Sequence, residues 1–379
     1  MRVLLAPDCF TGTLTAAQAA EALAAGWADH APDDELDLCP LSDGGPGFVD
    51  VLHRSLGGQL RSLTVPGPLG EDVPAAMLVV DGTAYVESAH ACGLHLVPVE
   101  RRDPTRTTSA GLGVLLEAAA EAAGRVVVGL GGTGTVDGGA GLLAALGAGE
   151  PSLLGRGGGA LADLPDDALA GLAAVRDRFA GTEIVAATDV DVPLLGFHGA
   201  AAGFAEQKGA TPEQAQQLGT ALGRFAEVAL GALGPDVAPQ RLVAEPGAGA
   251  AGGIGFALLL LGATRRSGTE TVLEAVGFAD RLRRSDLVVT GEGTVDWQSM
   301  RGKVVAGVAH EALAAGVPVV VVAGQVHAGR REMLSVGIES AYAVAETPEQ
   351  VRAALADPAG TLRARTRRVA RTWSPRPRK

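Results

Sequence analysis

RVVVGLGGTGTVDGGAGLLAALGA, residues 125–148, joins three local signals in one run. Val126–Val128 reads as a buried strand, and Leu142, Leu143 and Leu146 return at helical spacing. Between them lies a loop of glycines interleaved with Thr133, Thr135 and Asp137. Strand, glycine loop and helix in that order is how α/β proteins turn backbone N–H groups toward an anion. Gly129, Gly131 and Gly134 also satisfy G-x-G-x-x-G, which raises a dinucleotide site as one reading. The context argues against it. That fingerprint needs an acidic residue at the end of the next strand, about twenty residues on. Here the helix runs instead into LLGRGGGALADLP, which carries no strand signal. Gly302-Lys303 makes no P-loop either, since no Ser or Thr follows the lysine. The loop is expected to face anionic oxygens without being either standard motif.

Working outward, the chain begins with the strand RVLLA, which ends at Pro7-Asp8, and a helix TAAQAAEALAAGW that Thr13 or Thr15 can cap. A second strand, ELDLCPL, ends at Ser42-Asp43-Gly44-Gly45, and a helix follows from about Phe48 to Leu56. This β-α-β-α start favours a parallel sheet. Asp8 and Asp43 each fall just past a strand, where the ligand crevice of an open sheet lies; a helix cap is the other reading of each. From Leu63, TVPGPLGEDVPAAMLVVDGTAYVES alternates apolar and polar residues in the manner of hairpins. TTSAGLGVLLEAAAEAA predicts a helix, 149–182 carry little signal, and EIVAATDV predicts a strand. A long helix covers about 212–233, and the glycine tract 247–263 opens another. The opening texture then returns in RSDLVVTGEGTVDWQSMRGKVVAGVAHEALAAGVPVVVVAGQV, followed by the strand ESAYAVA and a last helix from about Pro348. The arginine-dense tail after Leu362, ending SPRPRK, reads as solvated and frayed. The resulting parse is α/β: a Rossmann-like parallel-sheet domain from residues 1–64 and 283–379, a mixed-sheet α/β domain inserted at 65–282, and an active-site cleft between them.

Composition narrows the chemistry. The 379 residues carry a formal charge of −12, which argues against a nucleic-acid surface. Three cysteines without a CxxC pair suit a reducing compartment, and no apolar run approaches membrane-spanning length; the expectation is a cytoplasmic protein off the membrane. The histidines are scattered, so zinc is not expected. What remains is carboxylate and lysine chemistry: Asp8, Asp43, Asp189, Asp191, Glu292 and Asp296, with Lys208 and Lys303. Carboxylates for Mg²⁺, lysines for anionic charge and glycine loops for phosphate oxygens are the parts of phosphoryl transfer.

The order of the motifs resembles type 1 glycerate kinases. APDCFTGTLTAAQAAEALAAG, PLSDGGPGF, PGPLG, ESAHACGL, TSAGLG and the opening stretch follow in that family's sequence. ATDVDVPLLGFHGAAAGFAEQKGAT, GAGAAGGIG and DLVVTGEGTVDWQS…GKVVAGVA complete it, to about residue 345. The resemblance implies a flavodoxin-like parallel sheet plus a mixed-sheet domain. It also implies ATP- and Mg²⁺-dependent phosphorylation of D-glycerate or a related small hydroxy acid, with 2-phosphoglycerate the product. In that reading Asp189, Lys303 and Asp8 are catalytic candidates, Asp189 as the base near the substrate hydroxyl or the group that orients it. Ser42, Asp43, Thr108, Ser109, Gln207 and Lys208 are substrate-binding candidates. Gly131, Gly132, Thr133 and Gly134 would hold phosphate, and Glu292 and Asp296 the metal.

The chain also departs from the family pattern. Thr11 and Thr294 replace a lysine and an arginine, Pro46 a glutamate, and Val136 and Val192 two asparagines, while Gln298 is among the retained residues. All five replacements fall in loops expected to line the cleft. Losing one such contact costs on the order of 1–3 kcal/mol, so D-glycerate is expected to be a poor substrate or to be replaced by another acceptor. A non-catalytic relative that binds a metabolite or nucleotide is the second reading, and a NAD-dependent dehydrogenase, resting on one glycine pattern, is the third.

Overall fold

The computed structural model describes residues 1–10, 12–235, 240–297, 299–300 and 302–374. Thr11, Gln298 and the tail end 375–379 lie outside the described residues. The chain folds into two compact units: residues 1–43, 50–56 and 269–379 form the first, 44–49 and 57–268 the second.

The first unit starts with β1 (Arg2–Leu5), α1 (Ala16–Ala28) and β2 (Glu35–Leu38). Thr15, not Thr13, caps α1: its hydroxyl accepts the Gln18 N–H while the Gln18 side chain accepts the Thr15 N–H, a reciprocal capping box. Helix α2 (Phe48–Leu56) follows.

The second unit is built on β3 (Gln59–Pro66), β4 (Asp72–Val80), β5 (Thr83–Glu87), β6 (Arg125–Gly129), β7 (Glu183–Ala187) and β8 (Thr264–Arg266), adjacent in that order. β3, β4 and β5 run antiparallel and β5 to β8 parallel, a mixed sheet. β3 pairs with β4 from Gln59↔Val79 to Pro66↔Asp72, so residues 57–64 go with the second unit rather than the first. At the other border 269–282 go with the first unit, where Arg281 Nη1 donates to Asp37 Oδ1 at 2.8 Å. Helices α3 (Ala110–Ala122), α4 (Ala140–Ala145), α5 (Pro212–Leu233) and α6 (Ala250–Leu260) cover this sheet. The start of α6 is not helical: Ala251, Gly252 and Gly253 have φ of 54, 72 and 94°. A Cβ on Gly252 would stand 2.0 Å from the Thr135 carbonyl oxygen, so the glycine tract lets this segment press against the loop after β6.

The chain returns to the first unit through β9 (Leu287–Thr290), β10 (Thr294–Val295), α7 (Val304–Ala315), β11 (Val319–Ala323), β12 (Gln325–Val326) and β13 (Ile338–Ala343). Helices α8 (Pro348–Ala356) and α9 (Pro358–Trp373) end it. Its sheet runs β13-β11-β9-β1-β2, parallel throughout, with a short parallel β10–β12 pair beside it. VVVVA of β11 is wholly buried, as a strand covered on both faces must be. In chain order the sheet is 2-1-3-4-5, the doubly wound arrangement of flavodoxin, whose winding reverses between its first and third strands, here β1 and β9.

The arginine-dense tail is not frayed as far as Ser374. Leu362, Thr366, Val369 and Ala370, spaced as one helical face, are buried, and Arg363 forms a two-pronged pair with Asp29. The arginines occupy the other face of a docked helix. Among the described residues no helix is long and apolar enough to cross a membrane.

Candidate functional site

Charge collects at the reversal point of the first sheet. Asp8 follows β1 and its N–H donates to the Gly291 carbonyl at 2.8 Å, joining the ends of β1 and β9. Burial holds the Asp8 carboxyl well above its ordinary range; Asp43 and then Glu292 push it the same way, while the Cys9 N–H, donated at 2.6 Å, opposes them. Burial likewise raises Glu292, with Asp296 and Asp43 adding to it and Ser299 and Lys303 pulling it down. Glu292 Oε1 is buried and has no hydrogen-bond partner among the described residues. Such an orphaned acceptor costs about 1–3 kcal/mol, more when charged, unless a ligand meets it.

Glu292, Thr294, Asp296 and Lys303 line one end of a cavity of about 340 Å³. Asp296 is set by Ser299: the Asp296 N–H donates to Ser299 Oγ, and the Ser299 N–H donates to Asp296 Oδ1, each at 3.2 Å. The Ser299 hydroxyl also donates to the Thr294 carbonyl at 3.3 Å. Lys303 stands at the N-cap of α7 without a side-chain cap hydrogen bond. A cation at a helix N-terminus opposes the macrodipole, but lysine and N–H groups together attract an anion.

The second unit gathers different chemistry at the parallel ends of β5, β6 and β7, where Glu87, Gly129 and Ala187 stand in register. A cavity of about 220 Å³ is lined by Gly131, Gly132, Thr133, Gln207 and Lys208 with apolar neighbours. The Lys208 ammonium is buried and donates to the Thr135 carbonyl at 2.7 Å and Thr133 Oγ1 at 3.2 Å. Burial lowers its pKa to about 8, with the buried Asp137 resisting the fall. The loop's donors are fewer than the sequence promised. Gly134 N–H donates to the Cys92 carbonyl at 2.8 Å and Gly131 N–H to Ser88 Oγ at 3.3 Å, which holds these two glycines in the protein's own framework. Gly132 and Thr133 N–H make no hydrogen bond among the described residues and remain as the loop's donors toward a ligand.

Of the sequence candidates, Asp8, Asp43, Glu292, Asp296 and Lys303 come together in the first unit, and Gly131, Gly132, Thr133, Gln207 and Lys208 in the second. Ser42 is buried beside Asp43 in the chain. Asp189 is half-buried just past β7 and accepts the Ser267 hydroxyl at 2.6 Å. Ser109 is corrected. It is fully buried, its hydroxyl and N–H both donate to Asp137 Oδ2 at 2.8 Å, and its oxygen accepts the Leu142 N–H. It links the starts of α3 and α4 and presents nothing to a substrate. Thr108 is buried, and its Oγ1 accepts the Ala110 N–H at the start of α3. Val136 is also corrected: it lies wholly buried in the second unit's core, not on a ligand-facing surface. Sequence reasoning missed Ser299 and Ser267, whose signal is position alone: a serine three residues after an acid in DWQS, and one far along the chain from Asp189.

Known proteins bear on this arrangement. The model of the Glycerate kinase family matches residues 3–374. The chain is 40% identical over 352 residues to a Glycerate kinase of Bacillus subtilis, covering 91% of this chain and 90% of that protein. Identity, length and coverage are the same for the Glycerate 2-kinase of Escherichia coli. Among solved structures it is similar to a protein assigned as glycerate kinase 2 from Salmonella typhimurium LT2, with TM-score 0.78 and 35% identity, over 99% of this chain and 98% of that one.

Proposed function

The chain belongs to the glycerate kinase family, and from that premise we propose that this kinase transfers the terminal phosphoryl group of ATP, with Mg²⁺, to D-glycerate, forming 2-phosphoglycerate. The observation that carries the proposal is the buried Glu292 Oε1, without a hydrogen-bond partner among the described residues, at the reversal point of the first sheet and flanked by Asp8, Asp43, Asp296 and Lys303. So many carboxylates on one edge favour the arrival of a cation, which lowers the cost of keeping them charged. The donor set fits Mg²⁺. All of it is hard oxygen, and among the described residues no three acidic, histidine or cysteine side chains form a ready-made cage. Mg²⁺ in kinases is held by one or two carboxylates and completes its shell with water and substrate phosphate. Glu292 and Asp296 would hold it, and it would supply neutralisation of phosphate charge.

Lys303, with the N-terminus of α7, draws the phosphates of the donor. In the second unit Lys208, Gly132 and Thr133 offer a cation and N–H groups that suit the carboxylate of the acceptor. Asp189, fixed by Ser267, is the candidate for accepting the hydroxyl proton or aligning the hydroxyl. Val136 packs in the core, so it does not weigh against the acceptor, and D-glycerate stands first among the acids to try.

The test is an ATP- and Mg²⁺-dependent phosphorylation screen of small hydroxy acids with product identification. Conversion of D-glycerate to 2-phosphoglycerate with matching ADP release supports the reading. No phosphorylated product from any acceptor would overturn it.

A further inference from the structure

The same 340 Å³ cavity has a second end that the phosphate chemistry does not use. Beyond Glu292, Asp296 and Lys303 its lining turns apolar: Val344 past β13, Val351, Ala354 and Leu355 on α8, and Leu362 on α9. Helix α8 is securely formed, with a capping box between Thr347 and Gln350 and Pro348 in its first turn. Yet none of its residues is buried, and Leu355 is 62% exposed. Val351, Ala354 and Leu355 stand at i, i+3 and i+4, the spacing of a face built to cover something. That face borders the cavity.

Resting on the phosphotransferase reading above, we infer that this apolar end takes the nucleoside of the phosphoryl donor, with α8 as the wall against its base. Three features select this occupant. The cavity lies toward the lower end of the roughly 300–1,000 Å³ usual for small-molecule sites. It lies over the carboxyl ends of parallel strands, with Gly324 after β11 and Val344 after β13 in its lining, where open α/β sheets bind ligands. Its polarity is graded, carboxylates and a lysine at one end and aliphatic side chains at the other, which matches phosphates joined to a flat, weakly polar base. A three-carbon hydroxy acid has less to gain there, because the side chains of Val351, Ala354 and Leu355 offer its carboxylate no donor.

The experiment titrates the full chain with three probes by calorimetry: Mg²⁺-ATP, adenosine, and inorganic tripolyphosphate with Mg²⁺. Two variants are compared, Ala354→Trp to fill the apolar end and Leu355→Arg to charge it at an exposed position. Circular dichroism and melting curves check that each folds. Adenosine should bind the unaltered protein, and both variants should weaken adenosine and ATP at least tenfold while leaving tripolyphosphate unchanged. Unaltered ATP affinity in both folded variants would overturn the inference, as would ATP binding no tighter than tripolyphosphate in the unaltered protein. Failure of the phosphotransferase reading looks different: no acceptor is phosphorylated, yet adenosine still binds and the variants still abolish it.

Discussion

At the carboxyl end of its sheet the first unit sets Asp8, Asp43, Glu292 and Asp296 around one lysine, Lys303. The second unit does the opposite at the equivalent place, with a buried lysine, Lys208, the Gly132 and Thr133 N–H groups that make no hydrogen bond among the described residues, and a carboxylic side chain, Asp137, wholly enclosed. Both are ends of parallel strands, so topology alone does not separate them. Their electrostatics do. Among the described residues the first sets more carboxylates than cations, and suits a ligand that arrives with a metal cation. The second unit's cavity has Lys208 and no acidic side chain among its described lining residues, and suits a bare anion. The proposed reaction, between a metal-bound triphosphate and a small carboxylate, has one ligand suited to each kind of site.

The largest effect should come from removing the cation of the second unit. Lys208→Met is expected to lower kcat/KM by about 10²–10³, mostly through the KM of the hydroxy acid, because a buried charge-assisted contact is lost. The KM for ATP should hardly move; if it rises instead, the division of labour between the units is wrong. The same lysine predicts a pH limb. Its folded pKa is lowered to about 8, so activity should fall above that pH as the ammonium is lost. Lys208→Arg should flatten the limb, since a guanidinium stays charged. Stability should run the other way. Between about 8 and the ordinary lysine value the unfolded chain holds the proton and the folded chain does not, so stability rises with pH across that window.

The second effect concerns a position where sequence and structure part. Val136→Asn follows from the family pattern, but Val136 is wholly buried in the core. The variant should lose about 2 kcal/mol in denaturant melts, through an unsatisfied amide and lost packing. Glycerate turnover should not rise. An increase would mean that the valine does face the ligand.

Much of this molecule can be read from its residues, for reasons particular to each place. The strand at Val126–Val128 and the helix over 212–233 announce themselves by period, because one is buried on both faces and the other on a single stripe. The candidate acids Asp8, Asp43 and Glu292 follow from the rule that open sheets bind at strand ends, and the structure brings them within each other's field. Ser109 could not be told apart from a ligand-binding serine, because its role depends on Asp137, 28 residues away and enclosed. The tail misleads for a different reason. Counting arginines hides the apolar stripe Leu362, Val369 and Ala370 that docks it. The unit borders were displaced because hairpin pairing of β3 is a property of its partner, not of its own composition.

A third effect sharpens the first unit's side of the comparison. Burial, Asp43 and Glu292 all disfavour the charged form of Asp8. Its folded pKa stands above the unfolded one, so over that interval the folded state holds the extra proton and stability falls as pH rises. Above it Asp8 is a net burden on the fold. Asp8→Asn should therefore stabilise the protein at neutral pH, with the gain vanishing toward acid. Adding Mg²⁺ with ATP should shrink the difference between the two proteins. A variant less stable at every pH would show the carboxylate to be compensated by contacts within the first unit.

The smallest effect is a gain. Thr294 is exposed, lies in β10 and lines the charged end of the first unit's cavity, where the family pattern carries arginine. Around it the described lining residues provide Lys303 as the cation against Glu292 and Asp296. An arginine there would add a second cation within reach of donor phosphates. It would also face the two carboxylates, which compete with phosphate for it. Because the position is exposed, the guanidinium keeps most of its hydration, and such pairs are worth roughly 0.2–1 kcal/mol. Thr294→Arg should thus lower the KM for ATP about two- to fivefold, with the KM for the hydroxy acid unchanged and the gain fading in high salt. The salt dependence separates a phosphate contact from mere repacking, which salt would leave alone. If the acceptor's KM falls instead, the charged end of this cavity serves the acid and not the nucleotide, and the contrast between the two units has to be reversed.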